Sequence, residues 1–81
     1  MLNMETKTKL DRDLLIKKMN DFFGSGGLGL ELTENGADCF TYTGGGGFVE
    51  ITLCNDEKKT SVNMITREWE IQVKKFAQMI A

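Results

Sequence analysis

Two glycine clusters hold the residues whose spacing could do chemistry. Gly44 to Gly47, within TYTGGGGFVE, are four consecutive glycines, and Gly24, Gly26 and Gly29 in GSGGLG spell G-x-G-x-x-G. Either could wrap backbone N–H groups around a phosphate. A phosphate cradle needs a strand before the loop, a helix start after it and usually a lysine. After Gly47 the chain reads FVEITL, which alternates like a strand, and no lysine follows. The run is read as a hairpin turn, where glycine meets a positive φ at no steric cost. Four glycines exceed what a turn needs, and the excess implies a mobile tip or a close approach by a partner. GSGGLG runs from a helix into a strand, the reverse of the dinucleotide order. It offers phosphate the carbonyl end of a helix, which repels it, so it is read as a helix stop and linker.

The thiols and acids offer less. Cys39 and Cys54 lack metal-ligand spacing, and the chain has no histidine to act as a general base or ligand. Asp11, Asp13, Glu68 and Glu70 sit at helix starts, where capping and the helix dipole account for them. Asn55-Asp56-Glu57 lacks the ligand spacing of a calcium loop. The expectation is no catalytic, cofactor-binding or metal site. With 10 basic and 12 acidic side chains, the net charge of -2 gives no footprint for nucleic acid or an anionic membrane. No apolar run approaches the roughly 18 residues a membrane span needs, and MLNMETKTKLDRD has no apolar signal core. Free thiols and these absences point to a cytoplasmic location.

The elements that must position these residues follow from periodicity. Residues 1–7 are expected to be a disordered tail of a single domain, 1–81. Thr8-x-x-Asp11 resembles a capping box, and Leu15, Ile16, Met19, Phe22 and Phe23 then share one helix face, which Gly24 closes in a left-handed stop. Near the other end Thr66 is placed as a cap, and Trp69, Val73, Phe76 and Ile80 make an apolar stripe with Trp69 as a core anchor. Between them lie four runs of period two: Leu28/Leu30/Leu32, Phe40/Tyr42, Val49/Ile51/Leu53 and Val62/Met64. A Gly45-Gly46 turn sets Tyr42 against Val49 and Phe40 against Ile51. An Asp56-Glu57 turn sets Ile51 against Val62 and Val49 against Met64. A three-residue loop with Gly36 left-handed sets Leu30 against Phe40 and Leu28 against Tyr42. The predicted fold is α+β: a two-layer α-β-β-β-β-α order, with a four-stranded antiparallel meander and both helices packed on one face.

That order resembles the double-stranded-RNA-binding domain, a family with basic residues at the start of its last helix. Here the start reads TREWE, Thr66 to Glu70, and Lys74-Lys75 come late, which argues against RNA. The functional expectation is a small non-enzymatic protein–protein interaction module, a homodimer or an inhibitor-like partner of a larger protein. The alternative is a nucleic-acid or small-ligand binder using the glycine loops. The contact is placed on the outer face of the sheet, at Thr41, Thr43, Phe48, Glu50 and Thr52, or on an edge strand, Leu28–Thr33 or Thr60–Met64.

Overall fold

A computed structural model describes all residues, Met1–Ala81. The chain runs β1 (Leu2–Thr8), α1 (Arg12–Phe23), β2 (Glu31–Asn35), β3 (Cys39–Gly44), β4 (Gly47–Asp56), β5 (Lys59–Arg67) and α2 (Glu70–Ile80). The strands form one antiparallel sheet in the order β1-β5-β4-β3-β2. The class is α+β, but the sheet has five strands, not the expected four. The fifth is β1, in the segment expected to be a tail. It pairs with β5 in unbroken register from Leu2 opposite Thr66 to Thr8 opposite Thr60. Thr60–Met64 is therefore an interior strand and not an edge.

Leu15, Met19 and Phe23 of α1 and Val73, Phe76, Ala77 and Ile80 of α2 are buried against the inner face of the sheet, on Phe40, Tyr42, Val49, Ile51, Leu53, Val62 and Met64. Phe23 joins the layers, 5.0 Å from the ring of Phe76 and 5.5 Å from that of Tyr42. The Tyr42 hydroxyl donates to Asn20 Oδ1 on α1, so the chain's one phenol keeps a partner.

Local chemistry moved several boundaries. Asp11 caps α1, accepting from the Leu14 N–H at 2.9 Å, whereas Thr8 ends β1 and accepts from the Leu10 N–H. Thr66 lies fully buried in β5 and donates to the Phe48 carbonyl at 2.7 Å. It is no cap, and α2 starts after Trp69. Gly24 closes α1 with an ordinary φ of -81; the left-handed residue is Gly29, at φ 78. The chain folds back over the helix end, and the N–H groups of Leu28 and Leu30 satisfy the carbonyls of Phe22 and Phe23, each at 2.9 Å. A Cβ at Gly27 would lie 2.1 Å from the Phe22 oxygen, so that return requires glycine.

Of the three hairpins, the glycine turn agrees with the expected register and the other two depart from it. β3 and β4 pair through Gly44 opposite Gly47, with Tyr42 against Val49 and Phe40 against Ile51. The β4–β5 turn is Glu57-Lys58, one residue later than expected, which sets Ile51 against Met64 and Leu53 against Val62. Moving the turn by one residue shifts the pairing by two, so parity and the inner face are preserved. β2 begins at Glu31 and sets Leu32 against Tyr42, with a bulge at Thr33. Gly36 is not left-handed. Its N–H donates to the Cys39 carbonyl at 2.8 Å, which leaves Ala37-Asp38 to turn the chain.

Candidate functional site

The outer face of the sheet carries no helix. Register places all five candidate residues on it. Thr41 lies between Glu34 and Glu50, Thr43 between Glu31 and Phe48, and Thr52 between Cys39 and Asn63. Phe48 sits between Thr43 and Arg67, and Glu50 between Thr41 and Ile65. Much of their polarity is engaged within the sheet. The Thr41 hydroxyl donates to Glu34 Oε1 at 3.1 Å, and Thr43 shares a 3.0 Å hydrogen bond with Thr33. Phe48 and Ile65 are half-buried, so the face offers no large exposed apolar side chain. Cys39 and Cys54 are unbonded; Cys39 is half-buried and Cys54 exposed.

The glycine turn has an occupant from its own chain. Gly45 and Gly46 take φ values of 60 and 81, the left-handed pair of a primed hairpin turn. The half-buried Trp69 lies against this turn, donating its indole N–H to the Gly44 carbonyl at 3.0 Å. A Cβ on Gly45 would stand 2.6 Å from Trp69 Cζ2, and one on Gly47 only 2.0 Å from the Arg67 oxygen. The close approach that four glycines imply is therefore intramolecular. Beside the turn, a hollow of about 290 Å³ is lined by Thr43, Gly44, Gly46, Gly47, Phe48 and Arg67. Arg67 is its one cation.

The two free edges of the sheet are unlike each other. β2 is 5 residues long, broken by its bulge, and shows Glu31 and Glu34. Short length, a bulge and charge all discourage a further strand. β1 is 7 residues long and regular, and the chain contains no proline. Its inner-facing Met4 and Thr6 are half-buried. Beside them, a groove of about 300 Å³ runs between β1 and α2, where it meets Lys74, Ala77 and Gln78. A second hollow, of about 420 Å³, lies at the C-terminal end of β1, lined by Lys7, Thr8, Lys9, Leu10 and Lys59. Ala81 borders both.

Charge is distributed unevenly along this edge. Lys7 bonds Asp56 at 2.8 Å. That hydrogen bond, and then the charge behind it, hold the Asp56 carboxyl below its ordinary range and the Lys7 ammonium above its own. Glu5 accepts a hydrogen bond from the Ser61 hydroxyl. Lys9, Lys59 and Lys74 form no ion pair, since the three salt bridges are Lys7–Asp56, Arg12–Asp38 and Lys17–Asp21. Reading residues 1–7 as a tail hid this edge. The signal that could have found it is the alternation of Leu2, Met4, Thr6 and Thr8 against Asn3, Glu5, Lys7 and Lys9.

Comparison with known protein families, curated proteins and solved structures finds no match. No helix is long and apolar enough to cross a membrane.

Proposed function

We propose that this chain is a non-enzymatic protein-interaction module that binds by accepting an additional strand at β1. The observation that carries the reading is the contrast between its two edges. An edge strand presents a row of unpaired N–H and C=O groups, and folded proteins block such rows unless they are used. β2 carries two blocks that β1 lacks, its short length and its bulge; charge does not separate the edges, since β1 shows Glu5 and Lys7 where β2 shows Glu31 and Glu34. β1 has an unbroken register and a groove alongside it that would receive the side chains of an added strand. In strand addition the backbone supplies affinity and alternate side chains supply specificity, and β1 with its groove provides for both. The outer face supports docking less well, because Thr41 and Thr43 are bonded to neighbours and its aromatic ring is half-buried. The glycine loops support ligand binding less well, since the chain's own indole fills the space over Gly45.

Selection of displayed random peptides against the folded domain tests this. Selected peptides should shift and protect the amides of Leu2–Thr8. Binding that moves only Thr41, Thr52 and their neighbours, or only Gly44–Gly47, refutes strand addition.

A further inference from the structure

We infer that the strand β1 accepts is an extended segment of a partner protein in which acidic residues precede alternating aliphatic ones. This rests on the strand-addition reading and specifies the chemistry of the partner. A strand added beside β1 continues its pleat, so every second side chain projects to the inner side. There it meets the groove of Met4, Glu5, Thr6, Ala77, Lys74 and Gln78, whose about 300 Å³ takes aliphatic side chains but not a folded element. Ile71 is 78% exposed and lies three residues before Lys74 and seven before Gln78, on the same flank of α2. It adds an exposed aliphatic side chain to that flank of the helix.

The C-terminal end of β1 is cationic. Lys7, Lys9 and Lys59 surround the hollow at the close of β1, and Lys74 borders the groove. These are four of the chain's 10 basic residues, gathered along one edge of a protein whose net charge is -2. The carboxylates nearby, Glu5 and Asp56, are already bonded to Ser61 and Lys7; Lys9 and Lys74 have no ionic partner, and Lys59, opposite Asp56 across the turn, makes no salt bridge with it. An acidic segment is drawn to this edge and repelled by β2, with its Glu31 and Glu34. β1 runs toward the lysines, so an antiparallel partner starts beside them and runs away. Its acids therefore come first. A second copy of the chain fits less well. Its β1 would bring a single carboxylate, Glu5, to meet these lysines, and that group is already held by Ser61.

The test uses the intact chain and four labelled synthetic peptides. One has two glutamates followed by alternating valine and threonine; the second replaces the glutamates with lysines. The third reverses the order of the first, and the fourth is the first with every second backbone nitrogen methylated, in the phase that faces β1. The first peptide should bind saturably and shift amides of β1 and α2. The reversed and lysine peptides should bind about tenfold more weakly, as should the first peptide to the Lys9→Glu/Lys59→Glu protein. The lysine peptide should regain affinity on that variant. Methylation of the nitrogens that face β1 should abolish binding. Lys9 and Lys59 are exposed, and circular dichroism verifies that the variant is folded. Equal affinity for acidic and basic peptides, with the methylation effect retained, overturns the acidic partner but leaves strand addition standing. Concentration-dependent dimerisation that protects β1 amides likewise overturns the peptide partner in favour of a second copy. Binding indifferent to backbone methylation overturns both.

Discussion

Glycine stands at positions 45 and 46 for different reasons, and a mutant cycle with Trp69 separates them. Gly46 has φ 81 and open space where a Cβ would be. Gly46→Ala should therefore cost only the left-handed penalty of an L-residue, about 1–2 kcal/mol. Gly45 has φ 60, and its Cβ would also stand 2.6 Å from Trp69 Cζ2. Gly45→Ala adds displacement of a half-buried indole and strain on its 3.0 Å bond to Gly44, about 1–3 kcal/mol more. Trp69→Leu removes the ring, and in that background Gly45→Ala should cost no more than Gly46→Ala. The coupling between positions 45 and 69 should thus be about 1–3 kcal/mol, with the second mutation relieving the first. Urea unfolding followed by far-ultraviolet circular dichroism measures it, because the chain's single tryptophan is absent from half the cycle. An 81-residue domain has about 4–12 kcal/mol in hand, so the titrations belong in stabilising sulfate. Equal costs for the two glycines in the native background, or a difference that persists after Trp69→Leu, would refute the claim that the indole occupies the turn.

Three further outcomes are expected. Burial pushes the phenol of Tyr42, the only tyrosine, up to about 12. The unfolded chain ionises first, near 10.0, so stability should fall as pH rises between these values; phenolate absorbance that titrates near 10.0 without unfolding would contradict this. Asp56 is held below its ordinary 3.8 by Lys7, so the pair's contribution is present above that value and lost as pH falls through the depressed one. Protection of β1 amides should drop in that acid range and lose its pH dependence in Asp56→Asn. Thr66→Val should cost about 1 kcal/mol in urea titration for the lost bond to the Phe48 carbonyl, whereas an unchanged midpoint would remove that bond from the account.

What the sequence made legible was whatever side-chain periodicity controls. The stripes of both helices, the inner faces of β3, β4 and β5 and the Tyr42–Val49 register can be read from spacing alone, because burial of one face forces the pattern. Turn positions were less legible. Asp56-Glu57 and Glu57-Lys58 preserve the same parity, so no hydrophobic count separates them; the left-handed residue is Glu57, at φ 57, where no glycine marks the spot. Capping signals misled where a threonine had another use. Thr8 and Thr66 read as caps from their neighbours, yet each is buried on the inner side of a strand. The candidate surface divides the same way. The outward set Thr41, Thr43, Phe48, Glu50 and Thr52 follows from parity, whereas the β1 edge depends on a pairing between residues about 60 positions apart.

The same physics that hid β1 produces its groove. An interior strand is flanked on both sides, so its inward side chains are covered, as Val62 and Met64 of β5 are, fully buried. An edge strand has one neighbour and needs half that cover. Thr6 suffices on its inner face, and LNMETKT then reads as a polar tail. Two helices cover the inner face of five strands, and α2 reaches β1 with Ala77, a methyl side chain, flanked by the polar Lys74 and Gln78. Thr6 on the strand and Ala77 on the helix are both small and leave space unfilled between the two elements. A larger residue at either place would close it: Ala77→Leu or Thr6→Ile would extend the core over the edge. The chain instead keeps an open groove beside its one regular free edge, while β2, the edge without such a groove, is bulged and acidic.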